Sequence, residues 1–196
     1  MKYIYGYLSD FSIEEYEKTY AVLGEEERKR VDRYKRDDDK KRSLLAHILL
    51  KKLMKDEFSD ESELLYKENG CPYFKDKNLF VSLSHSGEVA FCGVSKNPVG
   101  VDVEQMREVG LSLIKRVCVD EEKAYVLSDV SINEAEKISD PTALKRFFEI
   151  WTAKEAYFKM KGSGITDLKS VNTLEIEKES FAMDGYVFTI TEEKTS

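Results

Sequence analysis

The sequence predicts a mixed α/β fold of the α+β kind, in which short strands are covered by long helices. Three observations predict it. Apolar residues recur at helical spacing over Asp37–Lys55, with Leu44, Leu45, Ile48, Leu49 and Leu53 on one face and Lys40, Lys41, Arg42, Lys51 and Lys52 on the other. Between residues 79 and 104, three short apolar runs are separated by the turn segments His85-Ser86-Gly87-Glu88 and Lys96-Asn97-Pro98, which reads as a hairpin extended into a three-stranded meander. Asp140-Pro141 supplies an N-cap followed by proline at the first helical position, and Gly162-Ser163-Gly164 ends that helix.

The remaining elements follow from local signals. Tyr3 to Leu8 alternates as a strand. Ser12-Ile13-Glu14-Glu15 has capping-box spacing, which starts a helix at Ile13 that runs to near Gly24. Glu25 to Tyr34 is a second, short and highly charged helical piece. Asn69-Gly70 is a turn, and Pro72 keeps the chain extended after it. Leu79–Ser84 and Val89–Ser95 form the hairpin, and Val99–Glu104 is the third strand. Leu111–Val117 is helical, Asp120 caps a further helix through Val126, and the polar run Val130–Ser139 reads as a mobile loop. Short strands are expected at Val171–Ile176 and Tyr186–Ile190.

With 196 residues the chain holds one large domain or two small ones, and 41% hydrophobic with 35% charged residues lets it bury a core and stay in solution. A net charge of -7 and a pI near 5.1 argue against non-specific nucleic-acid binding, which needs a basic surface. Cys71, Cys92 and Cys118 show no paired spacing, so buried thiols in a reducing compartment are expected, not a disulfide framework or a zinc site. With His47 and His85 as the only histidines, a histidine-rich metal site is excluded. The apolar runs are too short to span a bilayer, and Met1 to Gly6 gives no signal-peptide pattern. A cytoplasmic protein is the expectation.

Two segments carry chemistry. In Val99-Gly100-Val101-Asp102-Val103-Glu104, residues two apart on a strand share a face, so Asp102 and Glu104 stand together and the valines face the core. Like charges so placed repel and are costly to desolvate, and a hard cation such as Mg²⁺ or Ca²⁺ relieves both costs. An edge strand with its polar face in water needs no such ion. In the helix after Pro141, Trp151, Glu155 and Lys159 recur every four residues and lie one turn apart on one face. A surface Glu–Lys pair beside a core tryptophan has the same spacing. However, Phe147, Phe148, Ile150, Tyr157 and Phe158 make much of this helix buried, and buried charges need partners.

These segments, Val99–Glu104 and Trp151-Thr152-Ala153-Lys154-Glu155-Ala156-Tyr157-Phe158-Lys159, resemble the 4′-phosphopantetheinyl transferases of the surfactin-synthetase-activating type. Asn69-Gly70-Cys71-Pro72 and Ser82-Leu83-Ser84-His85-Ser86-Gly87 add a third match, and the resemblance runs from Tyr3 to about Gly164. It implies two similar α/β halves related by a pseudo-twofold axis: residues 1–98, and residues 99–196 carrying the metal site. Longer members continue into at least one more strand, so the expectation is either a second half trimmed of its last strands or a fragment that ends early. The resemblance implies transfer of the phosphopantetheine arm of coenzyme A to a serine of an apo carrier protein, acyl, peptidyl or polyketide, with release of adenosine 3′,5′-bisphosphate. Fatty acid or natural product biosynthesis would be the setting, and a monomer with no membrane or nucleic-acid partner is expected.

By the same resemblance, Asp102, Glu104 and Glu155 would hold Mg²⁺, for which Mn²⁺ can substitute, against the pyrophosphate. Lys159 would contact the attacked phosphate, and Glu155 would be the general base. Ser84 and His85 would hold coenzyme A, with Arg30 and Arg42 on its 3′-phosphate. Cys71 and Glu27 replace basic residues that the family uses for the nucleotide, which should weaken its binding. A hydrolase built on Ser84 or Ser86 with His85 is disfavoured, because adjacent strand residues point apart and no nucleophile-elbow pattern surrounds the serines. A binding protein without transferase activity would have lost a site residue, and Asp102, Glu104, Glu155 and Lys159 are all in place. His47 is expected to be a helix-face residue without chemistry, and Trp151 a core residue.

Overall fold

The computed structural model describes residues 1–59, 63–75, 78–128, 130, 136–164 and 167–194. The first half opens with β1 (Lys2–Tyr7), followed by helices α1 (Ile13–Val22), α2 (Glu25–Asp32) and α3 (Asp37–Leu53). Ser12 caps α1: its hydroxyl accepts from the Glu15 N–H while the Glu15 carboxylate accepts from the Ser12 N–H. A π-helical turn, Met54–Phe58, extends α3. The short ladder of β2 (Leu64–Tyr66) and β3 (Pro72–Phe74) precedes the hairpin of β4 (Phe80–Ser86) and β5 (Val89–Ser95). The turn is tighter than the sequence suggested, because β4 runs to Ser86 and Gly87 takes a φ of 55° that favours glycine.

The sheet order is β1-β5-β4, antiparallel throughout. Every residue of β5 is buried, since both of its faces are covered. Ala90, Cys92 and Val94 pack in a core with Leu45, Leu49 and Leu53 of α3, while Val89 and Phe91 turn the other way.

The second half repeats this plan. β6 (Val99–Gln105) does not continue the first sheet as a meander. After Pro98, which has no N–H to extend a ladder, the chain crosses to a second antiparallel sheet of order β6-β10-β9. Next come β7 (Val109–Gly110), α4 (Leu111–Val117) and α5 (Asp120–Leu127). Asp120 is the first residue of α5 rather than its cap; Val119 holds the cap position, where its N–H is accepted by Glu122. β8 (Lys137–Ile138) pairs with β7, and Ile138 is buried, so the end of the supposed mobile loop is fixed structure; residues 131–135 lie outside the described residues. Helix α6 (Pro141–Lys161) has Asp140 accepting from the Ala143 N–H at its start and Gly162 in the left-handed conformation at its end.

Val171–Ile176 is not a strand. Its backbone is drawn into the interior by Glu122 and Lys154, described below. β9 is instead Glu179–Met183, joined to β10 (Tyr186–Glu192) through Asp184-Gly185, a hairpin signal the sequence does contain. Two α/β halves thus each present a three-stranded antiparallel sheet backed by a long helix, in a pseudo-twofold arrangement. The inner faces of the sheets share a core of Val89 and Phe91 with Val101, Val103, Phe188 and Ile190. α6 lies so close to β6 that a Cβ at Gly100 would overlap the Ala156 carbonyl, which explains the glycine. Among the described residues no helix is long and apolar enough to cross a membrane.

Candidate active site

A cavity of about 460 Å³ opens between the halves. Asp102 and Glu104 enter it from β6, and Glu155 and Lys159 from α6. Arg30, Tyr34 and His85 line it from the first half. Alternation on β6 places these carboxylates on the face opposite Val101 and Val103, and the four-residue step on α6 places Glu155 and Lys159 on one stripe. Asn69 closes one edge, its side-chain N–H donating to the Gly162 carbonyl at 3.0 Å.

The charges are arranged unevenly. The Lys159 ammonium donates to Asp102 Oδ1 at 2.7 Å and to the Val101 carbonyl at 3.1 Å. Asp102 is buried, and its Oδ2 has no hydrogen-bond partner among the described residues. Glu104 takes a hydrogen bond from Ser86 at 2.8 Å, yet burial holds its carboxyl above the usual carboxylate range. Glu155 is pushed up to about 7, by burial first and then by the charge of Asp102, with Lys159 acting against them. His85 packs edge-on against Tyr34 and is held below the usual imidazole range by burial and then by Lys159 and Arg42.

This donor set suits a divalent cation in kind: three oxygen-bearing side chains around one cavity, one with a buried oxygen lacking a partner. It is not a closed cage, since among the described residues no three acidic, histidine or cysteine side chains stand close enough to hold a metal by themselves. Magnesium typically takes one or two protein carboxylates and fills its remaining positions with water and substrate phosphate.

The sequence-derived residues are placed differently from one another. Arg30 reaches the cavity with its guanidinium 4.4 Å above the Tyr66 ring. Arg42 does not line it; its guanidinium donates to Asp39 at 2.6 Å and to the Gly87 carbonyl at 2.9 Å. The Ser84 hydroxyl donates to Asp102 Oδ1 at 2.7 Å, and among the described residues no serine hydroxyl bonds to His85. Glu27 caps α2 and pairs with His47 Nδ1 at 3.2 Å, so its side chain serves the first half's interior. His47 lies on α3 as expected, where it is buried and borders the cavity. Trp151 is partly buried against Phe147. Cys92 and Cys118 are buried free thiols, and Cys71 is half-buried at the cavity wall.

Lys154, inside the Trp151–Lys159 segment, has a separate role. Its ammonium is fully buried and bonds Glu122 at 2.9 Å, the Leu168 carbonyl at 2.7 Å and the Val171 carbonyl. It therefore anchors the segment after α6 and does not reach the cavity.

Residues 98–193 match the 4′-phosphopantetheinyl transferase superfamily and residues 11–96 match the 4′-phosphopantetheinyl transferase N-terminal family; the chain belongs to the 4′-phosphopantetheinyl transferases and is a transferase of the Sfp type. It is 27% identical over 169 residues to 4′-phosphopantetheinyl transferase Sfp of Bacillus subtilis (strain 168), covering 83% of this chain and 71% of the relative. It is 30% identical over 136 residues to 4′-phosphopantetheinyl transferase gsp of Aneurinibacillus migulanus, with coverage of 68% and 53%. The transferase HetI of Nostoc sp. is 28% identical over 161 residues, with coverage of 77% and 64%.

Proposed function

We propose that the chain transfers the 4′-phosphopantetheine arm of coenzyme A to a serine hydroxyl of an apo carrier protein and releases adenosine 3′,5′-bisphosphate. The observation that carries this reading is the meeting of Asp102, Glu104, Glu155 and Lys159 in one cavity shared by both halves. Residues 1–98 and 99–196 are the two halves in this reading, with the nucleotide between them.

The serine oxygen would attack the phosphorus that bears the pantetheine arm. The new P–O bond forms as the bond to the departing bisphosphate breaks. Glu155 would take the hydroxyl proton, directly or through water, a role for which a half-buried carboxyl beside other acids is suited. Lys159 would turn from Asp102 toward the attacked phosphate. Arg30 and His85 would face the 3′-phosphate, with Arg42 behind the Gly87 turn. Asp102, Glu104 and Glu155 would hold Mg²⁺ or Mn²⁺, which neutralises the pyrophosphate and the charge growing on the leaving group. The reading places the protein in the cytoplasm, as a monomer acting in fatty acid or natural product biosynthesis.

The test is mass spectrometry of a panel of apo carriers incubated with the protein, coenzyme A and Mg²⁺. A carrier should gain the phosphopantetheine mass on its serine while adenosine bisphosphate accumulates. A panel unchanged in mass, under conditions where a relative modifies it, refutes the reading.

A further inference from the structure

β6 is an edge strand of its sheet, and its open edge faces β4. Three alternate residues of β4 stand against that edge. The Val101 N–H donates to the Ser82 hydroxyl at 3.0 Å, the Val103 N–H to Ser84 at 3.3 Å, and the Gln105 N–H to Ser86 at 3.2 Å. The steps match because side chains alternate on β4 and outward N–H groups alternate on β6. Unpaired edge donors of the second half are thus satisfied by side chains of the first.

Two of these hydroxyls have a second partner. Ser84 donates its proton to Asp102 Oδ1 at 2.7 Å, and Ser86 donates to Glu104 Oε2 at 2.8 Å. Each hydroxyl accepts from one residue of β6 and donates to the carboxylate of the residue before it. At the remaining step, Ser82 accepts from Val101, and the residue before it, Gly100, has no side chain to orient. Asp102 Oδ1 is thus held by Ser84 together with Lys159, and Glu104 Oε2 by Ser86, while Asp102 Oδ2 is buried with no hydrogen-bond partner among the described residues.

We propose that Ser84 and Ser86 are positioning residues, whose hydroxyls both join the two halves and fix the Asp102 and Glu104 carboxylates toward the cleft. Assembly of the interface and orientation of the acidic pair are then one event. The inference rests on the reading of Asp102 and Glu104 as cation ligands given above.

Ser82 supplies the internal control, because Ser82→Ala removes an interface hydrogen bond without touching a carboxylate. Ser82→Ala, Ser84→Ala and Ser86→Ala are compared by urea unfolding, by Mn²⁺ titration followed through water-proton relaxation, and by kcat and KM for coenzyme A. All three should lose stability, Ser84→Ala and Ser86→Ala more than Ser82→Ala, because each also loses a hydrogen bond to a carboxylate. Ser84→Ala and Ser86→Ala should weaken Mn²⁺ binding and lower kcat by roughly 10- to 100-fold, as loss of a partner that orients a metal ligand does, with Ser82→Ala within about threefold of wild type. Ser86→Thr, which keeps the hydroxyl, should restore most of the loss. KM for coenzyme A should stay nearly constant in Ser86→Ala, since a nucleotide contact would move KM and an orienting contact moves kcat. Equal effects in all three alanine variants, or none in Ser84→Ala and Ser86→Ala, overturn the proposal. If the wild type binds no Mn²⁺ at millimolar concentration, the metal reading fails; kcat then decides the positioning role, sustained by losses confined to Ser84→Ala and Ser86→Ala and overturned by equal losses.

Discussion

Lys154→Met should cost this protein a large part of its stability while leaving its chemistry largely intact. The Lys154 and Glu122 side chains are both 0% exposed and 2.9 Å apart. Glu122 also accepts from the Val119 N–H at 2.9 Å and from the Thr173 N–H and hydroxyl at 2.7 and 2.8 Å. Removing the ammonium leaves a carboxylate buried without its counter-charge, and the Leu168 and Val171 carbonyls without this donor. Breaking a buried pair from one side costs about 3–5 kcal/mol, against a typical total stability of about 5–15 kcal/mol. For a chain of this size that lowers Tm by about 6–20 °C. Urea unfolding of wild type and variant measures the difference directly. Lys154→Met/Glu122→Gln should recover part of the loss, because the uncompensated charge is gone. At a temperature where both proteins are folded, kcat should change far less than in Lys159→Met, where loss of a charge stabiliser costs about 10²-fold. A stability change under about 1 kcal/mol would refute the burial of this pair. A selective kcat loss would show that Lys154 takes part in the chemistry.

Glu155 makes stability pH-dependent. Its carboxyl moves from the ordinary 4.5 to about 7 on folding, so the folded state holds the proton more tightly. Protonated Glu155 therefore favours the fold; that contribution is complete below about pH 4.5 and is lost as pH rises through about 7. Urea unfolding of metal-free wild type should weaken relative to Glu155→Gln over this window, and a constant difference would contradict the burial of the carboxyl. Gly100→Ala should destabilise by at least the roughly 1–3 kcal/mol of an overpacked core, because the new methyl meets the Ala156 backbone; a neutral result in thermal unfolding would mean α6 packs less closely on β6. Arg30→Ala should raise KM for coenzyme A with kcat nearly constant, and should narrow the preference for coenzyme A over dephospho-coenzyme A more than Arg42→Ala does, because Arg42 is held by Asp39 and Gly87. Equal effects in the two kinetic series would put both guanidinium groups on the phosphate. Excess chelator should abolish carrier modification, and activity unaffected by it would remove the metal from the reaction.

Local signals with a direct physical cause carry through to the fold. Ser12 and Asp140 sit where their side chains accept the free N–H groups of a first turn, and Gly162 sits where the chain needs a positive φ. Pairs at spacing two on β6 and four on α6 fall on shared faces because strand and helix geometry dictate it. Val171–Ile176 reads as a strand but is not one: its backbone is held by Glu122 and Lys154, partners that lie 51 and 17 residues from Thr173 and Val171 in the chain.

The sequence by itself determined the caps, the periodic faces and the residue types that mark the family. These depend on neighbours within a turn of helix or a step of strand. Only the tertiary structure decided which sheet β6 joins, that Lys154 lies in the interior while Lys159 reaches the cavity, that Arg30 and not Arg42 lines the cleft, and that alternate serines of β4 close the edge of β6 and orient its carboxylates. Each of these outcomes is a contact between groups far apart in the chain. Which partner a charge or a free N–H finds is set by the packing of the two halves, because a buried polar group must be satisfied by whatever the fold brings beside it.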